Sequence, residues 1–138
     1  MIGYVTVGAD DLVLAERFYS AFLPNLGYGL EISAEGLSFS ISETTDLGQG
    51  QPDFYVKPPF DGQTASVGNG TMVAFQVRTQ AMVRALHAAA IAAGGRNEGA
   101  PGFRAKYTAH FYVGYLRDPQ GNKIALFCSN QDQPKKPD

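Results

Sequence analysis

Few side chains in this sequence can do chemistry, and their surroundings limit what that chemistry is. Arg104 precedes Lys106 and Tyr107 in a glycine-flanked loop. Its planar guanidinium can clamp a carboxylate or phosphate, or stand as a solvated loop cation. Tyr4, Tyr107 and Tyr115 can bring hydroxyls into a cavity, each able to donate or accept, or can pack in a core with the hydroxyl on backbone. His87 lies opposite the Met82/Leu86/Ala90 stripe of a helical stretch and reads as a surface histidine. His110 opens a long strand pattern and is expected on its outward side, too far from His87 to share a site. Cys128 closes a strand pattern with no basic partner nearby, as an inert buried thiol does. Gly68-Asn69-Gly70 and Gly94-Gly95 are turn glycines, and neither opens a helix after a strand as a phosphate loop requires.

The elements that must position these residues repeat. Tyr4-Val5-Thr6-Val7 alternates like a half-buried strand and recurs as Met72-Val73-Ala74-Phe75. A helical stretch follows each, with Leu14, Phe18, Ala21 and Leu23 matching Met82, Leu86, Ala89 and Ile91. Asp10 or Asp11 caps the first helix and Thr79 the second; Pro24 with Gly27 and the Gly94-Gly95 pair stop them. Strands are expected over Gly29–Ser33, Gly36–Ser42 and Asp53–Lys57, with a polar loop at Asp46–Gln51. Asn97–Gly102 reads as a loop, and Tyr107–Arg117 with Lys123–Cys128 as a long hairpin around Asp118-Pro119-Gln120-Gly121-Asn122. Pairing across that turn sets Tyr115 beside Ala125, with Phe111 and Val113 on the same side.

A strand–helix–three-strand order stated twice predicts an α+β fold of two paired βαβββ modules forming a half-open barrel around a cavity, helices outside. The expected organisation is a single unit over residues 1–130, with module one about 1–58, module two about 70–130, a linker at Pro58–Asn69 and a flexible polar tail over 131–138. Charged residues are 17% and the formal net charge is −2, so a nucleic-acid partner is not expected. No apolar run reaches the length of about 18 residues that a membrane span needs. Met1-Ile2-Gly3-Tyr4 has no basic leader, and the lone Cys128 cannot form an internal disulfide; both fit a cytoplasmic location.

The opening Met1–Gly8 with Asp11-Leu12 and Phe18-Tyr19, then Val73-Ala74-Phe75, Ala92-Ala93-Gly94-Gly95 and the Asp118-Pro119 to Ile124 hairpin, resemble the vicinal oxygen chelate superfamily of glyoxalases, bleomycin-resistance proteins and extradiol dioxygenases. The match spans roughly Met1 to Cys128. It implies paired modules and often a homodimer. It also implies a divalent metal held by His, Gln or Glu from the first and last strand of each module, chelating two substrate oxygens as a Lewis acid. At those positions this chain has Tyr4, Met72 and Ala125, with a fourth in Asp53–Lys57, where only Asp53 is a good oxygen donor. Alanine has no donor, a thioether suits hard cations poorly, and tyrosine would have to ionise from near 10. No metal and no other cofactor is therefore expected.

Two readings follow. In the first, a metal-free cavity binds a small, partly apolar molecule. Tyr4, Phe54, Met72, Tyr115, Ala125 and Phe127 line it, and Arg104 or Tyr107 forms a polar gate. In the second, the chain is a lyase or dioxygenase with atypical ligands, or a metal-free isomerase with a tyrosine acid/base. A purely structural module would instead have the cavity filled.

Overall fold

The computed structural model describes residues 1–42 and 50–138. The elements are β1 (Tyr4–Gly8), α1 (Leu12–Ser20), β2 (Tyr28–Ser33), β3 (Gly36–Ile41), β4 (Asp53–Lys57), β5 (Met72–Gln76), α2 (Gln80–Ala92), β6 (Arg96–Phe103), β7 (Tyr112–Arg117) and β8 (Lys123–Cys128). The polar loop expected at Asp46–Gln51 lies, up to residue 49, outside the described residues.

Local chemistry fixes the helix ends. The Asp11 carboxylate accepts from Leu14 N at 3.0 Å and the Thr79 hydroxyl from Met82 N at 3.1 Å, each satisfying a backbone donor that the helix leaves free. After α1 a short 3-10 turn, Leu23–Leu26, ends at Gly27, whose φ of 93° is cheap only for glycine.

Each module makes a four-stranded sheet, ordered β1-β4-β3-β2 and β5-β8-β7-β6. The second, third and fourth strands of each module run antiparallel, while the first strand joins the last in parallel. Thus each module carries a crossover that a plain antiparallel meander lacks. Strands β1 and β5 both end their sheets, and the two sheets do not hydrogen-bond to each other.

The modules join through one core instead. Phe18, Tyr19 and Phe22 meet Phe39 and Phe54 from the first sheet, and Phe75 of the second sheet reaches Phe54 at 5.3 Å and Phe22 at 5.9 Å between ring centroids. Polar ties accompany it. The Tyr19 hydroxyl donates to Asp118 at 2.6 Å, and Asn122 Nδ2 donates to Gly8 O at 2.8 Å. The Pro58–Asn69 linker is pinned at Ala65, whose N–H donates to Asp10 and whose carbonyl accepts from Gln120. The β7–β8 turn is therefore also the joint between modules.

Two expectations about the chain path are corrected. Arg96–Phe103 is a strand, with register shifts on either side of Gly99. It lies at a sheet edge, where Pro101 costs no ladder bond and glycines allow bulges, so turn-rich composition did not prevent pairing. The strand expected from Tyr107 starts only at Tyr112. The tail, expected to be flexible, makes hydrogen bonds to the rest of the chain. Gln80 donates to Gln133 and Pro134, Lys136 N donates to Ala109 O at 2.7 Å, and Lys136 Nζ donates to the carbonyls of Arg104, Ala105 and Tyr107. Lysine supplies three donors, and three carbonyls of the turn take them. Among the described residues no helix is long and apolar enough to cross a membrane.

Candidate functional site

Strand alternation sends one side chain row of each sheet into the core and leaves the other row on an open face. In β1, Val5 and Val7 pack inward while Tyr4 is 65% exposed. In β4, Phe54 and Val56 are buried, so Asp53, Tyr55 and Lys57 share the open face. Phe54 was expected in the cavity lining. It is 2% exposed and packs on Tyr19 at 5.0 Å, which makes it core.

On the first face Tyr4 lies 5.3 Å from Tyr55. The Tyr55 hydroxyl donates to Asp53 at 3.1 Å. That bond, then desolvation and the Asp53 charge, raises the Tyr55 phenol above its ordinary value. Lys57 stands 5.0 Å over the same ring and pairs with Glu35 at 3.3 Å. A cleft of about 240 Å³ opens here between Glu31, Glu35, Ser38 and Tyr55. A second, of about 370 Å³, lies between Thr6, Pro59, Phe60 and Ser66. Neither includes Met72, Tyr115 or Ala125.

The second face gathers most of the predicted residues. Tyr115 pairs with Ala125, as the turn register requires. Arg104 lies 5.4 Å from the Tyr115 ring centroid and Lys123 Nζ lies 5.1 Å from it. Desolvation raises the Tyr115 phenol; the hydrogen bond with Tyr107 and that residue's charge raise it further, while Arg104 pulls the other way. Tyr107 sits edge-on to Phe111, and Phe111 stacks on Phe127 at 5.3 Å and 28°. Ala125 itself is 1% exposed, so it is covered floor and not the open wall expected of a lining residue. Met72 is 43% exposed on the edge strand, opposite Lys123.

Both histidines depart from expectation. His87 is 5% exposed, with Nε2 at 3.0 Å from Tyr115 O. A carbonyl only accepts, so Nε2 carries the proton. Its ring rests on Gly114, where a Cβ would stand 2.9 Å from His87 Cδ2. His110 lies in the turn before β7, and its Nδ1 is buried without a hydrogen-bond partner among the described residues. Cys128 is buried as expected, its thiol 3.4 Å from Arg78 O.

Tyr55 and Lys123 had not been singled out for the site, and Phe111 had been set on its side without being named in the lining. The signal for Tyr55 was present: Phe54 and Tyr55 must face opposite ways, and Thr6 pairs with Tyr55 as Ala74 pairs with Ala125. The four positions that correspond across the modules are thus Tyr4, Tyr55, Met72 and Ala125. Their donors are two phenols, one thioether and none. They do not fit a hard divalent cation. Among the described residues no three His, Cys, Asp or Glu side chains converge as a metal site would need.

Comparison with solved structures settles the lineage. A glyoxalase/bleomycin resistance protein from Albidiferax ferrireducens is 35% identical, with a TM-score of 0.76 over 93% of this chain and 98% of that one. The chain belongs to the glyoxalase/bleomycin resistance protein family. Membership agrees with the resemblance to the vicinal oxygen chelate superfamily and with the paired modules read from the repeat. A glyoxalase/bleomycin resistance protein/dioxygenase family enzyme from Burkholderia phytofirmans (21% identity, TM-score 0.66, 92% and 97% of the two chains) shares the fold. So does a lactoylglutathione lyase from Agrobacterium tumefaciens (20%, 0.62, 93% and 92%). Neither a family model nor a curated protein matches the chain.

Proposed function

We propose that this member of the glyoxalase/bleomycin resistance protein family binds a small, partly apolar molecule on its open sheet faces without a metal. The observation that supports this most directly is the stack of Phe111 on Phe127 beside Tyr115. These rings are partly exposed although a helix-covered core is available to them. Aromatic faces that the core does not use are a binding surface of the kind small ligands fill.

One chain leaves those faces open. Strands β1 and β5 both offer unpaired edges, with Tyr4 and Met72 beside them. The first face carries Glu31, Asp53 and the Glu35–Lys57 pair, and the second carries Arg104 and Lys123. In our reading, module one of one copy faces module two of a second, and the homodimer closes the cavity.

The rival reading, a lyase or dioxygenase, has the names of two structural neighbours in its favour, but Tyr4, Tyr55, Met72 and Ala125 do not supply the ligands that such chemistry uses. Phenols raised above their ordinary value stay protonated near neutral pH, so Tyr55 and Tyr115 supply hydrogen-bond donors and not a base. Calorimetry with a panel of small aromatic compounds, alongside sedimentation equilibrium, tests the proposal. Binding that Phe127→Ala weakens, in a protein that sediments as a dimer, is expected. A monomer that binds none of the panel overturns it.

A further inference from the structure

The second face carries more charge than an apolar site needs. Arg104 and Lys123 both lie against the Tyr115 ring, at 5.4 Å and 5.1 Å from its centroid. Neither has a carboxylate within ion-pair distance among the described residues, where the ion pairs are Lys57–Glu35 and Arg117–Glu98. Two like charges gathered on one ring repel each other, and neither has an ion-pair partner among the described residues to relieve it.

Arg104 is also placed with care. Its Nη2 donates to Ala100 O at 2.8 Å and its Nη1 to Phe103 O at 3.3 Å. Those bonds fix the plane of the guanidinium and leave three of its five N–H groups unused. The space it occupies exists because residue 99 is glycine. A Cβ there would stand 2.9 Å from Tyr115 Cδ2 and 3.2 Å from Arg104 Nη2. Lys136 holds the same turn by the carbonyls of Arg104, Ala105 and Tyr107. A merely solvated cation needs none of this.

We infer that Arg104 and Lys123, set against Tyr115 beside the Phe111–Phe127 stack, form a subsite for a planar aromatic carboxylate. The inference rests on the small-molecule reading above and names the ligand's chemistry. The anion takes the free guanidinium donors and the ammonium, which are charge-assisted bonds. The ring system lies along the Phe111 and Phe127 side chains, whose rings already stack on each other. An aromatic amine meets two cations and is rejected, so the same pair gives selection as well as affinity.

Three probes of one shape test this on the unaltered protein: 1-naphthoate, 1-naphthylmethanol and 1-naphthylmethylamine, titrated by calorimetry at low and high salt. Naphthoate is expected to bind at least about tenfold tighter than the alcohol, the weight of one charge-assisted contact, and to lose that advantage as salt rises. The amine is expected to bind least. Arg104→Met and Lys123→Met, each checked by thermal melting, are expected to cost naphthoate about tenfold and to cost the alcohol much less. Equal binding of acid and alcohol, or naphthoate binding that survives both substitutions, overturns the carboxylate subsite. If the alcohol still binds and Phe127→Ala weakens it, the small-molecule reading stands while this one falls. If no probe binds at millimolar concentration, both fall.

Discussion

Tyr55 occupies in the first sheet the place that Ala125 occupies in the second: Thr6 pairs with Tyr55, and Ala74 with Ala125. One side of the pseudo-symmetric pair offers a phenol bound to Asp53 and the other offers a methyl group. Together with Tyr4 and Met72 they make a donor set too poor for a hard cation. Elemental analysis of tag-free protein should therefore find no stoichiometric Mn²⁺, Ni²⁺ or Zn²⁺, and calorimetry should detect no tight uptake. One tightly held ion per chain would contradict this.

Ala125 is covered, between Tyr115 on β7 and Ala74 on β5. Ala125→Trp should overpack the sheet and cost roughly 1–3 kcal/mol, read as a lowered melting midpoint. An unchanged midpoint would mean that open space adjoins the methyl group after all.

The Tyr19 hydroxyl ties α1 to the β7–β8 turn through Asp118, which also accepts from the Gly121 and Asn122 backbone. Tyr19→Phe leaves the buried carboxylate one donor short and should cost about 1–2 kcal/mol. Burial, then the Asp118 charge and hydrogen bond, holds the Tyr19 phenol well above its ordinary value. A raised folded value means that the unfolded chain ionises first. This contribution is then complete below about pH 10, the ordinary tyrosine value, and is lost as pH rises above it. Wild-type stability should fall more steeply above that pH than the stability of Tyr19→Phe. Parallel profiles would refute the assignment.

Gly114 faces the His87 ring at a distance no Cβ tolerates. Gly114→Ala should destabilise by about 1–3 kcal/mol, and much less in a His87→Ala background, because the two share one space. Additive losses in the double-mutant cycle would show that the backbone, not the histidine, resists the methyl group.

Lys136 should order the turn that carries Arg104 and Tyr107. Lys136→Met, followed by peptide-level hydrogen exchange, should accelerate exchange over residues 104–111 and leave β8 unchanged. Identical protection in both proteins would count against the tether.

The sequence by itself determined the repeat, the Thr79 cap, the choice of Asp10 or Asp11 for the other, the β7–β8 turn and the register that sets Tyr115 beside Ala125. All of these are local, fixed by periodicity, by capping oxygens and by turn residues a few positions apart. It also pointed to the right lineage, because short motifs survive at fixed places in the fold. Tertiary structure alone decided which face met what. Phe54 and Tyr55 alternate in any strand, but only packing against Tyr19 made Phe54 the inward one. His87 looked solvent-facing on a helical wheel until β7 brought the Tyr115 carbonyl to it. Arg104 and Lys123 are far apart in the chain, and their convergence on one ring needed the bulged β6 strand on one side of β7 and β8 on the other. Charge placement of that kind is a property of long-range contacts, which no local pattern encodes.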